Sequence, residues 1–430
     1  MLSLGACLLA GCTTAPVNSN SNTASVPPSS TLPSPSPSAS PATSTTSLQI
    51  TLPLLDALLS DEKFVDQLKT KLKLSDDKID ALKRVSSAEI ARLRETNAEE
   101  TDGDSGDPRA RAEEQLRSIL GGEKANELVQ IANDYWARGG EASTTGAQML
   151  PGPNAVPTDT RVVVNIPAFR MDLFQDGNLI KSYKVGIGYP EFPLPFGLRK
   201  AQTIIFNPAW TPPDSPWVAK MKNAVPGQTI QPGDKDNPLG PIKIPIGLPS
   251  LIHGGKSPSK IGKFASHGCV GLTTNQIKDF ALLLSKAAGT DLTEQKMASY
   301  LEDKDQTKTV KLDQPVPVEL RYETIVLEDG KLHIYKDVYE QDTNTEDNLR
   351  RVLEAQGLKL EDLSEEQRSE ALNALNAMSA HPKPTTSPSP SPTARKKRRP
   401  TKPQTEIVID ISNLNKKGYP APVDFDEGRR

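Results

Sequence analysis

Two proline-rich stretches of this chain have almost no apolar side chains to bury, and they confine a fold to the sequence between them. Residues 13–47 are almost wholly Thr, Ser, Asn, Ala and Pro, and include Ser34-Pro35-Ser36-Pro37. Residues 382–404 repeat the pattern in Ser387-Pro388-Ser389-Pro390 and add the basic run Arg395-Lys396-Lys397-Arg398-Arg399. Such segments cannot offset the entropy of ordering and stay extended. The first reads as a disordered spacer, and residues 381–430 read as a basic low-complexity tail. The net charge of −3 gives no bias toward nucleic acid, so no nucleic-acid partner is expected. The basic run reads instead as a solvated tail that touches anionic polymer or lipid.

The first dozen residues end in Leu9-Ala10-Gly11-Cys12. This stretch is apolar but too short to span a bilayer. It resembles the end of a bacterial lipoprotein signal peptide, which sets residues 1–12 apart from the fold and makes Cys12 the lipid anchor. No basic region precedes it, so an earlier start is expected. With Cys7 removed and Cys12 acylated, Cys269 is the remaining thiol of the three cysteines, and no internal disulfide can form.

Residues 48–140 read as a small helical segment. Ser75 with Asp76 and Asp77 suits a helix start. Ile79, Leu82, Val85, Ile90 and Leu93 then recur at helical spacing, as do Leu116, Ile119, Leu120, Leu128 and Ile131 beyond an acidic loop. A hairpin of two helical stretches is expected, packed on itself or on the main domain.

From residue 155 to 340 the pattern changes. Arg161 to Ile166 is a strand by its β-branched content. Gln175-Asp176-Gly177-Asn178 is a hairpin turn between the strand-like runs 168–173 and 179–185. A Pro- and Gly-dense region follows from Pro190 to Gly247. A helix is expected from Thr274 to Ala288, and strands over 318–327 and 331–335 around Glu328-Asp329-Gly330. Two capping boxes, Thr343-x-x-Glu346 and Ser364-x-x-Gln367, open helices within 341–380.

The chemistry gathers in seventeen positions. Two of the four histidines and one of the three cysteines fall between His253 and Cys269. A thiol titrates near ~8.5 and becomes a strong nucleophile when an imidazole takes its proton. His267 stands two residues before Cys269, on the same face if the run is extended. His253 reaches the thiol if the intervening glycine-rich, lysine-bearing loop turns back. The amides of Gly268 and Cys269 are natural donors to an oxyanion. A zinc site of His253, His267 and Cys269 is the alternative, but there is no second cysteine pair and no HExxH, so no metal is expected.

His253-Gly254 followed by Ser266-His267-Gly268-Cys269 resembles the signature of the YkuD-type L,D-transpeptidases of bacterial cell walls. Val163-Val164-Asn165-Ile166-Pro167, Val185-Gly186-Ile187-Gly188 and Asn207-Pro208-Ala209-Trp210-Thr211-Pro212-Pro213 resemble the same family. The resemblance covers residues 161–290, about a third of the chain. It implies an α+β protein: a β-rich sandwich with a helix packed beside the cysteine. It also implies Cys269 as nucleophile and His253 as base, with a backbone carbonyl near Gly254 orienting the ring. Ser266, His267, Gly268 and Gly254 take supporting or oxyanion roles, and no cofactor is required.

The implied reaction is acyl transfer from a peptidoglycan tetrapeptide stem, with release of D-Ala. Water as acceptor would make a carboxypeptidase. A decayed domain would make a wall-binding tether. The implied location is the periplasm, lipid-anchored, with the outer membrane favoured because Thr13 is not an inner-membrane retention aspartate. Two positions depart from the family. Gly271 stands where an arginine, sometimes an asparagine, is usual, and Phe196-Gly197 replaces a Thr-Pro-Xaa-Gly turn.

Overall fold

The computed structural model describes residues 50–96, 108–137, 152–213, 218, 221, 223–247, 250–382 and 404–429. Cys12, the spacer 13–47 and the basic run 395–399 lie outside them. No helix among the described residues is long and apolar enough to cross a membrane.

The N-terminal part folds into five helices where a two-stretch hairpin was expected: α1 (Leu52–Leu59), α2 (Glu62–Lys71), α3 (Asp76–Thr96), α4 (Pro108–Leu120) and α5 (Gly122–Ala137). Local chemistry makes the extra breaks. Thr51 and Asp61 cap α1 and α2 through their side chains, and Lys73 takes a positive φ between α2 and α3. The five helices enclose an apolar core of their own, with Leu55, Phe64, Leu68, Leu82, Leu116 and Leu128 at its centre. Long-range hydrogen bonds tie them to the rest of the described chain. The Thr51 hydroxyl donates to the Glu191 carbonyl at 2.9 Å, and Arg109 donates to the Glu340 carbonyl.

The strands follow: β1 (Arg161–Asn165), β2 (Arg170–Gln175), β3 (Asn178–Lys184), β4 (Ile187–Gly188), β5 (Gly197–Phe206), β6 (Ile242–Pro245), β7 (Leu251–His253), β8 (Phe264–Ser266) and β9 (Val270–Gly271). Then come α6 (Thr274–Ala287), α7 (Glu294–Glu302), β10 (Lys308–Arg321), β11 (Ile325–Glu328), β12 (Lys331–Tyr335), α8 (Glu346–Ala355), α9 (Glu365–Met378) and β13 (Glu406–Asp410). The fold is α+β. Its main sheet has the order β3-β2-β1-β10-β5-β6-β7-β9. It is antiparallel except at β1–β10 and β7–β9. Helix α6 packs Ile277, Phe280, Ala281 and Leu284 into the core formed by this sheet, with Ile252 and Val270 in the same core. Thr273 and Gln276 close a reciprocal cap at its start.

Both expected tight turns are present. Asp176-Gly177 and Asp329-Gly330 carry positive φ at both central positions, the geometry that two-residue hairpins demand. The Ser364 capping box forms. The Thr343 box does not. Thr345 caps α8 instead, bonding the Asn348 amide, and the Thr343 hydroxyl meets Thr324.

The tail expected over 381–430 needs correcting from residue 404. Ile407, Ile409 and Ile411 alternate in the manner of a strand, and β13 joins β12 in a three-stranded sheet with β11. Farther on, Val423 and Asp426 exchange backbone hydrogen bonds with Ser182 and Lys184. The chain end therefore covers β3, an edge strand of the main sheet that would otherwise expose its polar ladder.

Candidate active site

The site is built where the chain returns to the main sheet's other edge. Strands β7 and β9 run parallel, with Ile252 opposite Val270 and His253 opposite Gly271. Ile252 and Val270 are fully buried in the core. Side chains alternate along a strand, so His253 and Gly271 face the other side. Cys269, just before β9, continues that register beside Leu251, whose backbone hydrogen-bonds the thiol. Cys269 and His253 are thus diagonal neighbours on one face of the parallel pair.

His253 is held by its own strand end. Its Nδ1 lies 2.8 Å from the Gly254 carbonyl oxygen. A carbonyl only accepts, so the tautomer that makes this bond carries its proton on Nδ1. Gly254 cannot be larger, since a Cβ there would fall 2.5 Å from Ile277 Cγ2. Burial drives the His253 pKa down to about 3, helped by the Lys256 charge and opposed by the Gly254 and Leu239 backbones. The ring is therefore neutral near pH 7 and able to accept a proton. Burial likewise pushes the Cys269 thiol up, against the Leu251 hydrogen bond and the Lys256 charge. At rest the thiol and the imidazole are thus both neutral.

Ser266 and Gly268 shape the loop that presents the thiol. The Ser266 hydroxyl donates to the Cys269 carbonyl and accepts from the Cys269 amide at 3.0 Å. The Cys269 amide, expected as an oxyanion donor, is therefore committed to this turn. The Gly268 amide meets no backbone acceptor among the described residues. Gly268 itself has φ +93°. That angle ends the extended run after Ser266, so His267 and Cys269 do not alternate as strand neighbours. His267 instead packs against Phe192 and Tyr189, with ring centroids 5.0 Å and 5.4 Å away. Among the described residues no group of three or more His, Cys, Asp or Glu is arranged to hold a metal ion.

Two lysines beside the site were not singled out as functional in the sequence. Lys243 of β6 stands directly opposite His253 in the antiparallel β6–β7 pair. Lys256, in the loop after β7, acts on the thiol through its charge. Both are cross-strand relations, and spacing along the chain carries no sign of them.

Comparison with known proteins bears on the family of this segment. A family model described as the YkuD L,D-transpeptidase catalytic domain matches residues 159–311. The probable L,D-transpeptidase ErfK/SrfK of Escherichia coli is 29% identical over 142 residues, 31% of this chain and 45% of that protein. The probable L,D-transpeptidase YbiS of Escherichia coli is 29% identical over 119 residues, 27% of this chain and 39% of that protein. The chain thus spans less than half the length of these relatives. Among solved structures, the catalytic domain of the Enterococcus faecium L,D-transpeptidase is covered in full by 39% of this chain, at 15% identity and a TM-score of 0.26. The matched segment holds His253 and Ser266 to Cys269, and the chain carries a YkuD-type L,D-transpeptidase catalytic domain.

Proposed function

We propose that this chain is a peptidoglycan L,D-transpeptidase that works through a Cys269 thioester. The parallel β7–β9 register carries the reading. It supports a shared face for Cys269 and His253, and the Gly254 carbonyl leaves Nε2 of His253 as the proton acceptor.

In the first step the Sγ–H bond of Cys269 breaks and the proton passes to His253 Nε2. The thiolate attacks the carbonyl of the stem's diamino-acid residue, and the Gly268 amide is the candidate donor to the oxyanion. The C–N bond to D-Ala then breaks, and the leaving amine takes the proton from the imidazolium. In the second step an acceptor amine attacks the thioester and gives its proton to His253. The sulfur leaves as thiolate and recovers a proton. Ser266 and His267 support the loop. Lys243 and Lys256 make the rim cationic, which suits stem peptides rich in carboxylates.

A carbapenem is a reactive acyl donor, and the test is intact-mass spectrometry after treatment. One covalent adduct is expected. A folded protein with no adduct would leave a wall-binding tether. An adduct together with D-Ala release, but with no transfer to amines, would make the enzyme an L,D-carboxypeptidase.

The same proposal places the protein in the periplasm, anchored through a lipid on Cys12, with the outer membrane favoured. The motive is Leu9-Ala10-Gly11-Cys12 before a spacer. A fatty-acid analogue fed to cells labels the wild type and not Cys12→Ala; equal labelling of both would remove the anchor from the account.

A further inference from the structure

Gly271 is the feature that departs most from the family pattern, and the structure shows what its missing side chain makes room for. The aliphatic stem of Lys256 lies across it. A Cβ at position 271 would come within 2.8 Å of Lys256 Cγ and 2.9 Å of Cε. The backbone holds this arrangement. The Lys256 amide donates to the Leu272 carbonyl at 3.0 Å, and the Leu272 amide to the His253 carbonyl at 2.9 Å. The parallel ladder thus runs on past β7 and delivers Lys256 over the strand that begins just after the thiol. Position 271 shares a face with Cys269 and His253, so the stem crosses on the side where the chemistry takes place.

We propose that Lys256 is a positioning residue whose ammonium, seated over Gly271, stabilises the Cys269 thiolate. Among the described residues its Nζ has no hydrogen-bond acceptor and no ion-pair partner. The lysine is half-buried, and the group that can pair with its ammonium is the sulfur once it ionises. The two influence each other in the expected directions. Burial pushes Lys256 down while the Cys269 charge pulls it up, and Lys256 pulls the thiol down against its own burial. The same charge helps to keep His253 neutral, hence ready to receive the proton. The other charged or titratable groups around the thiol are His253 on β7, Lys243 on β6 opposite it, Lys260 beside Lys256, and His267 in the preceding loop. The proposal rests on the reading of Cys269 as the nucleophile.

The test measures the thiol itself. Full-length protein is alkylated with iodoacetamide across a pH series, and the rate is followed by mass spectrometry on the tryptic peptide 264–278, which contains Cys269 as its one cysteine. Lys256→Met keeps most of the stem and removes the charge. Its inflection is expected about one to three pH units above the wild type, the usual reach of a near opposite charge. Lys256→Gln provides the same test if the Met variant fails to fold. Gly271→Ala, which leaves the lysine in place but crowds its stem, shifts the profile the same way by less. Unchanged profiles in the Lys256 variants overturn the proposal. So does a loss of carbapenem acylation with normal alkylation, which would assign Lys256 to substrate binding. Alkylation needs no transfer reaction, so failure of the transpeptidase reading would not mimic either result.

Discussion

The two edges of the main sheet bury ionisable groups in opposite ways. At the β3 edge, Arg170 on β2 bonds Asp172 at 2.8 Å and also Glu328, and its remaining nitrogen donates to the Pro420 carbonyl. Tyr419 closes the set by donating to Asp172 at 3.0 Å while lying against the guanidinium. Burial works against the Arg170 charge, but Asp172 and Glu328 outweigh it and the pKa rises. At the β9 edge, burial wins: His253, Lys256 and Cys269 are all pushed toward their neutral forms. A fully paired buried charge is structure. Buried groups pushed toward their neutral forms beside a cationic lysine are what the proposed reading expects of a nucleophile and its base.

The comparison breaks if the β9 edge proves structural. Cys269→Ala is expected to abolish the carbapenem adduct altogether and to leave the melting temperature within a few degrees of wild type. His253→Ala slows acylation by roughly 100- to 10,000-fold, the usual cost of losing a general base. Wild-type acylation by His253→Ala, with His267→Ala inactive, would reverse the two roles.

The β3 edge answers in stability instead. Arg170→Met leaves Asp172 and Glu328 buried without their cation, which costs about 3–5 kcal/mol. Chemical denaturation measures it. Acylation by the folded fraction is expected to be normal, because the cluster lies at the sheet's far edge. A fall in acylation without loss of stability would show that the two edges are coupled.

Acid separates the edges as well. The folded His253 pKa is depressed to about 3, against an ordinary value near ~6.5. The unfolded chain therefore binds a proton first. Stability from this group is fully present above about pH 6.5 and is lost as pH falls toward 3, at about 1.4 kcal/mol per unit. His253→Gln flattens that part of the stability–pH curve. An unchanged curve would mean the ring is not buried as a neutral base.

What could be read beforehand follows from the range of each signal. The turns at Asp176-Gly177 and Asp329-Gly330 and the Ser364 box are chemistry within four residues, and they were legible. The family pattern likewise names His253 and Ser266-His267-Gly268-Cys269 within one short stretch, while the packing of His267 on Phe192 and Tyr189 lies outside any such pattern. The Thr343 box failed by two residues: Thr345 offers the same hydroxyl nearer to α8. The lysine over Gly271 was not legible. It depends on a parallel pairing of β7 with β9, and the sequence shows only that residue 271 lacks a side chain. The tail was misread because the composition of the Pro- and Lys-rich run was extended across Glu406 to Asp410, whose alternation belongs to a strand. The fate of the Cys269 amide turns on one hydroxyl rotamer of Ser266, which no pattern encodes.

His267 gives the smallest effect and sharpens the comparison most, because it belongs to neither edge's regime. It sits in the signature beside the nucleophile, yet its ring rests on Phe192 and Tyr189. That loop is held from outside the site: Tyr339 donates to the Gly188 carbonyl at 2.7 Å, and Thr51 from the helical part donates to the Glu191 carbonyl. An aromatic contact of this kind is worth about 0.5–1.5 kcal/mol beyond its buried area. His267→Ala is therefore expected to lose about 1 kcal/mol of stability and to slow carbapenem acylation less than about tenfold, a loss of order distinct from the general-base range. His267→Phe, which keeps a ring and discards both nitrogens, separates packing from proton chemistry. Acylation restored by Phe assigns His267 to holding the thiol loop. Acylation lost in both variants, with the fold intact by circular dichroism, would move His267 into the proton path and leave His253 as its support.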